Sequence, residues 1–573
     1  MPLLPSRRGF ARTLAALAAA GCQPPPGRDR SAPAAATASA ASDTSTPADL
    51  IILGGRVLTG DPAQPEAQAL AARGGRIARV GARAAIEALR GPHTEIIDLA
   101  GGTAVPGLTD AHAHLVGLGR DLEIIDLRGA ASIDEVVTRI RRAPPPGGWI
   151  LGRGWDQNLW PGAAMPTHHP LTEAFQDRPV WLTRIDGHAG WANQVALAAA
   201  GIGADTPAPE GGEILRDDRG QPTGVLVDNA MALVPVPPPT EADLLRQILA
   251  AQEHILARGL TGLHEMGIDP AADAAFRALV RRGELRLRVH GYADQAWFAG
   301  ELGERAPDPI LESARYLLAG VKIYADGALG SRGAALLAPY ADRPDHRGLL
   351  LLDDAALDAL CDRALARGWQ IATHAIGDRG NRVVLDAYAR ALTRHPGADR
   401  RLRIEHAQIL DLADIPRFAE LGVIASMQPT HATSDMAWVP DRLGPDRLAG
   451  AYAWRRLLDA GARLALGSDF PVELPDPTHG LHAAITRQDP AGTPPGGWLP
   501  DQRLTLDEAL DGFTRTAAFA AHRDTHLGRL LPGHAADLTC FAADLRALAP
   551  RELRDAPILA TIIAGERCWP RAV

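Results

Sequence analysis

The chain has 573 residues, a net charge of −9, and 46% hydrophobic and 22% charged residues. That balance describes a globular protein of two or three domains with a large core, and with no basic cluster beyond the N-terminus nucleic acid is excluded as an expected partner. Its four cysteines, Cys22, Cys361, Cys540 and Cys568, are too few for a disulfide framework and are not spaced as paired metal ligands.

Residues 1–22 read as an export signal rather than structure. The stretch "SRRGFAR" carries a twin arginine ahead of a short apolar run, as in twin-arginine export. Cys22 follows "LAAAG", which resembles a lipoprotein processing site, so a lipid anchor at Cys22 is the one membrane attachment expected; the alternative is an incidental cysteine after an ordinary cleavage site. No apolar run reaches the length of a membrane span. Residues 23–48, rich in Pro, Ala, Ser and Thr, read as a disordered tether to an exported, cell-envelope or periplasmic protein.

From residue 49 to 105 short β-like runs alternate with glycines, and residues 526–573 have the same texture. The two ends are expected to pair into one composite β-sandwich. Between them, residues 106–525 hold eight short apolar runs, at 107–114, 259–266, 285–292, 321–324, 370–375, 401–407, 423–428 and 463–469. Helical patterns such as 354–368 lie between several of these runs, and repeated β–α alternation predicts a (β/α)8 barrel of the TIM type, an α/β fold. The gap between the first two runs is too long for one helix and its loops. It predicts an inserted subdomain over about residues 120–245, which contains Trp149, Trp155, Trp160, Trp181 and Trp191.

The ends of the runs share a chemistry. His112 and His114 in "DAHAH" stand two apart, which on a strand puts both on one face. His374 ends the fifth run, His406 lies near the end of the sixth, Asp469 ends the eighth, and Lys322 lies in the fourth. Barrel strands converge at their C-terminal ends, and imidazole with carboxylate suits zinc and similar divalent ions. Single histidines in strands are more often core residues, the reading given to His264, His290 and, as the alternative to a catalytic role, His431; His168, His169 and His188 fall in the insert.

Five conventional ligands are many for one ion that must keep a place for water, and a second ion needs a bridge. Of the 59 Lys and Arg residues only Lys322 is lysine. Arginine stays protonated, whereas a buried lysine can become a neutral amine, and such an amine can add CO2 to form an anionic carbamate with two oxygens. Lys322 is therefore read as a carboxylated bridge between two divalent ions, zinc the expected metal; the alternative is chance survival of one lysine.

The motifs "VPGLTDAHAHL", "VKIYADGALGSRGA", "ATHAIGD", "RIEHAQ" and "LGSDFPVE", with "RIDGHAGWANQVAL", "GGEILRDDRGQPTGVLVD" and "PGHAADLTCF", resemble the amidohydrolase superfamily, in particular its amidohydrolase 3 branch, which includes N-substituted formamide deformylases. The resemblance runs from about residue 49 to the C-terminus. It implies the barrel, the composite sandwich and a metal site of His112, His114, Lys322, His374, His406 and Asp469.

The activity expected is hydrolysis of a non-peptide C–N bond, an amide and N-formyl amides among them, in a small-molecule substrate by metal-activated hydroxide. Asp469 is the expected base, its alternative a purely structural ligand. His188 or His431 would assist the oxyanion, and Arg332 would contact substrate unless it holds its loop by a salt bridge. The substrate's N-substituent is expected to be hydrophobic and to lie toward the tryptophans of the insert, unless those only pack its core. An esterase or lactonase at the same metals, a single-metal deaminase, and a non-catalytic exported binding lipoprotein are the competing readings.

Overall fold

A computed structural model describes residues 46–571 apart from 143–147, 186, 188, 210, 211 and 398, with only the backbone for 158 and 228. The export segment, Cys22, most of the tether and His188 lie outside the described residues.

Eight parallel strands form a nearly closed barrel: β1 Leu108–Ala113, β2 Leu260–Ile268, β3 Arg288–Ala293, β4 Tyr316–Tyr324, β5 Gln370–Ala375, β6 Arg403–His406, β7 Ile424–Met427 and β8 Arg463–Leu466. They neighbour one another in chain order. Each falls on one of the eight predicted runs. The strands are buried almost end to end, because helices cover the outside and side chains fill the inside. Short polar residues start the covering helices. Asp269 accepts the Ala272 N–H at 2.7 Å ahead of Pro270–Arg281, and Asp353 accepts the Ala356 N–H at 2.7 Å ahead of Asp354–Arg367. Gly368, at φ 85°, ends the second of these in the left-handed region.

The ring closes at the C-terminal rim. The Asp469 N–H donates to the His112 carbonyl at 2.8 Å, and the His114 N–H donates to the Phe470 carbonyl at 2.9 Å. Gly467 permits this approach, since a Cβ there would lie 2.4 Å from Asp110 Oδ1 and 2.6 Å from His112 N.

The two chain ends share a sheet. Leu538–Phe541 pairs antiparallel with Thr103–Pro106, in a six-stranded sheet that also contains Arg56–Leu58 and Ile558–Ile563. A four-stranded sheet of Arg76–Gly81, Ala69–Arg73, Leu50–Leu53 and Glu95–Asp98 packs on it. The shared core includes Leu50, Ile52, Val57, Leu70, Leu538, Cys540 and Ile562. Ala48 already belongs to this unit: its side chain is buried, its N–H donates to the Leu89 carbonyl at 2.8 Å, and Thr94 donates to its carbonyl. The tether therefore ends short of residue 48.

Between β1 and β2 stands a separate six-stranded sheet with Ile125–Asp126 at one edge and Gly212–Arg216 at the other. Trp155, Trp160 and Trp191 meet in its core with ring centroids about 6 Å apart. Each indole N–H is taken by a backbone carbonyl, of Leu182, Ala130 and Thr167 respectively. Cys361, Cys540 and Cys568 are buried free thiols. No helix among the described residues is long and apolar enough to cross a membrane.

Candidate metal and catalytic site

The structure brings His112, His114, Lys322, His374, His406 and Asp469 together at the C-terminal rim, along the floor of a cavity of about 640 Å3. Ring centroids lie 4.7 Å apart for His112 and His406, 4.6 Å for His374 and His406, and 5.6 Å for His112 and His114. Lys322 Nζ is 3.2 Å from His112 Nε2. Asp469 Oδ1 lies 3.1 Å from His114 Nε2 and 3.5 Å from His112 Nε2.

Two of these residues owe their aim to unusual backbone. Alternation along a strand would send Glu405 and His406 to opposite faces. His406 has φ 73° and the following Ala407 φ 42°, so both neighbours reach the same centre. Asp469, at φ 62°, is likewise left-handed. Such conformations cost on the order of 1–3 kcal/mol each for non-glycine residues. The Ala407 N–H to the Ala375 carbonyl and the Asp469 N–H to the His112 carbonyl hold them in place.

The hydrogen bonds on the far side of each ring decide which nitrogen faces the cavity. His112 Nδ1 meets Glu405 Oε2 at 2.6 Å, His114 Nδ1 meets the Met266 carbonyl at 2.9 Å, and His406 Nδ1 meets Gln428 Oε1 at 2.9 Å. All three partners accept, so each Nδ1 carries a proton; this leaves the Nε2 lone pairs of His112 and His406 pointing inward, while His114 Nε2 faces the Asp469 carboxylate. The Gln428 amide is oriented by its own Nε2 donating to the Ser426 carbonyl at 3.4 Å. His374 is bonded by the Gly327 backbone, and its Nε2 has no hydrogen-bond partner.

His431 is the reverse. Its Nδ1 accepts from Gln408 Nε2 at 3.2 Å, so Nε2 carries the proton, unpartnered and 3.8 Å from Asp469 Oδ2. The ligand atoms of His406, His431 and Asp469 are close enough to share an ion, as are those of His112, His114 and Asp469. The tautomer nevertheless makes His431 a donor into the cavity rather than a ligand.

Burial tunes the charges. It pushes the His112 imidazole down to about 4, His374 to about 3 and His406 well below the usual range. These three are neutral at pH 7, as metal ligation requires. For His114 burial acts the same way, but the Asp469 carboxylate outweighs it and raises the ring. Burial also lowers Lys322 to about 8, which leaves a fraction of its amine neutral near pH 7. Burial would raise Asp469, yet His112, His114 and His406 hold it well below the ordinary carboxylate range.

Beneath the floor lies a polar plug that sequence reading missed. Arg403, fully buried, donates to Glu405 Oε1 at 2.8 Å and Oε2 at 3.0 Å. Its remaining donors meet His264, the Tyr292 hydroxyl, the Ala111 carbonyl and Ser426 Oγ. His264 thus has the core role expected of it. Asp326, also unremarked in the sequence, accepts from the Ala335, Ile376 and Gly377 N–H groups at 2.8–2.9 Å and lies 3.6 Å from His374 Nε2.

At two places the structure supports the alternative that the sequence left open. Arg332 does not line the cavity: it forms a two-pronged ion pair with Asp342, at 3.1 and 2.8 Å, that fastens its own loop. The insert's tryptophans do not line it either: Trp155, Trp160 and Trp191 are buried in one core of the insert, Trp181 in a second, and Trp149 packs partly buried against the second. The aromatic and apolar wall comes instead from Tyr324, Leu329, Ile376, Trp438 and Val472. Trp438 belongs to the segment that carries His431, and only its place over the rim reveals it.

Converging imidazoles with inward lone pairs, a buried carboxylate and an amine at a barrel mouth are the constellation of a metal-assisted hydrolase. The chain belongs to the amidohydrolase family, whose model matches residues 95–568. It is 32% identical over 538 residues to an N-substituted formamide deformylase of Arthrobacter pascens, covering 90% of this chain and 97% of that one. It is 35% identical over 549 residues to the protein LONG AFTER FAR-RED 3 of Arabidopsis thaliana, covering 91% and 92%. Among solved structures, a metal-dependent hydrolase of uncharacterised function from Pyrococcus horikoshii OT3 superposes with a TM-score of 0.75 at 29% identity, covering 87% of this chain and 99% of that one. A similar hydrolase from Pyrococcus furiosus gives 0.72, also at 29% identity, over 86% and 98%.

Proposed function

We propose that the protein hydrolyses a non-peptide C–N bond of a small-molecule amide, N-formyl amides among the candidates. Two divalent ions, zinc the expected metal, would be held by His112, His114, Lys322, His374, His406 and Asp469, with Lys322 as the carboxylated bridge. The observation that carries this reading is the outward anchoring of the His112, His114 and His406 Nδ1 atoms, which turns their Nε2 atoms toward the cavity, that of His112 3.2 Å from the amine of Lys322. The relative from Arthrobacter pascens supports the choice of bond by its name.

Bound there, the ions would supply a water of lowered pKa and a polarised carbonyl. Asp469, ionised at neutral pH, accepts the proton of the attacking water and delivers it to the leaving nitrogen. His431 Nε2–H, otherwise without an acceptor, donates to the carbonyl oxygen as negative charge builds there. Water adds at the carbonyl carbon, the C–N bond breaks, and the products are a carboxylic acid and an amine. Leu329, Ile376 and Trp438 keep water from the rest of the substrate. With residues 1–22 read as an export signal, the reaction would take place in the periplasm or cell envelope.

The test is a screen of zinc-loaded protein against N-formyl and N-acetyl amines, with the matched esters as controls. Amide turnover that is lost on chelation and restored by metal is expected. Ester turnover without amide turnover would put the esterase or lactonase in its place.

A further inference from the structure

At the opposite end of the barrel from the metal floor lies a second polar cluster, which stands whether or not the proposed reaction does. Arg288 and His290, at the start of β3, meet Arg523 and Asp537 around a cavity of about 30 Å3 beside the starts of β1 and β2. That is about one water's share of liquid volume. The space takes one water or one monatomic ion, and neither sulfate nor phosphate.

The charges around it do not balance. Asp537 takes both prongs of Arg288, Nη2 lying 2.9 Å from Oδ1. Arg523, 2% exposed, has no carboxylate within ion-pair distance among the described residues. It donates instead to the Glu312 and Ala314 carbonyls, at 2.7 and 3.2 Å, and to His526 Nε2 at 3.4 Å. None of these bonds uses Nη1. Arg315 is near enough for its charge to act on Arg523, and it too meets a carbonyl, that of Arg286 at 2.7 Å. The exposed Glu312 side chain is engaged by Arg76. Three guanidinium groups thus share one buried carboxylate, and a buried charge is costly unless it is paired.

His290 gives an independent sign of a ligand. It is 3% exposed, it lines the same cavity, and neither ring nitrogen has a hydrogen-bond partner. Gln370 beside it is already engaged: its oxygen accepts the Tyr292 hydroxyl at 2.7 Å, and its amide donates to the Arg401 and Ala520 carbonyls, both at 2.7 Å. Buried polar groups in a native fold have partners. No bond fixes the tautomer of His290, so the ring can turn its N–H into the cavity. A water there would satisfy the ring and leave Arg523 uncompensated. An anion answers both.

We infer that this cavity binds one monatomic anion of chloride size, held between the Arg523 guanidinium and the His290 ring. The ion offsets the unpaired guanidinium and ties the segment around Arg523 to the start of β3.

The test has two arms on the metal-loaded full chain. Crystals grown with sodium bromide in place of chloride are measured at the bromine edge, and a peak is expected in contact with Arg523 and His290. Thermal unfolding in sodium chloride is compared with sodium methanesulfonate, whose anion is too large for the cavity, at equal ionic strength. Chloride is expected to raise Tm by about 1–3 °C in a saturating way. The increment should vanish in Arg523→Gln and in His290→Leu; if neither variant folds, the bromide map of the parent protein decides. A water at the site with no bromide peak overturns the proposal. So does a peak without any chloride increment, which would be an adventitious ion only, or an increment that both variants keep.

Discussion

Lys322→Arg loses bound metal and more than about 100-fold of kcat/KM, the upper end of what losing a mere outer-shell partner costs. The substitution keeps a positive charge where most proteins would tolerate one for the other. It fails here for two reasons. Nζ is fully buried 3.2 Å from His112 Nε2, where the larger guanidinium would overfill the floor. Arginine also cannot shed its proton to react with CO2, whereas the lysine, lowered to about 8 by burial, can. Metal content by elemental analysis and steady-state kinetics check the result together. Lys322→Ala adds a second readout: millimolar acetate or propionate should restore part of its activity and metal by supplying the missing carboxylate. A fully active, metal-loaded arginine variant would remove the bridge from the account.

The second large effect is on stability. Glu405→Gln leaves Arg403 as a buried cation with its carboxylate gone, and breaking one partner of a buried pair costs about 3–5 kcal/mol. Arg403 and Glu405 side chains are both at 0% exposure, so water cannot compensate. The same substitution lets go of His112 Nδ1, which Glu405 orients from 2.6 Å. Weakening of metal affinity by about 10–100-fold is expected beside the loss of stability. Metal-free and metal-loaded melting curves separate the two effects. The apo protein reports the buried pair, and the extra stabilisation on adding zinc reports His112. If both curves match those of the parent protein, neither role holds.

The barrel was legible because its strands are short apolar runs that end in polar, chemistry-bearing residues, a pattern visible without knowing their neighbours. His112, His114, Lys322, His374, His406 and Asp469 could be gathered for the same reason: all stand at or near the C-terminal end of a strand, and barrel geometry does the rest. The partners of Arg403 were not legible, since His264, Tyr292, Ala111 and Ser426 come from four other strands. The cavity wall was hidden differently. His431, Asp435 and Trp438 meet at the cavity only once the chain from 429 to 443 is known to cross the rim, and a tryptophan in sequence reads the same whether it packs a core or lines a pocket. That ambiguity left the insert's five tryptophans open between pocket and core, and Trp155, Trp160 and Trp191 pack against each other. Arg332 stayed open between substrate contact and a salt bridge because its partner, Asp342, is brought to it only when the loop folds back ten residues on. Ala48 gave no signal at all in a Pro- and Ala-rich stretch, because what holds it is backbone hydrogen bonding to residues some forty positions away.

Anomalous diffraction at the zinc edge from crystals of the metal-loaded protein tests the central claim most directly. Two peaks are predicted within the cluster of His112, His114, His374, His406 and Asp469, with carbamate density on Lys322 between them. A single peak with an unmodified lysine amine, or zinc bound only elsewhere on the chain, would contradict it.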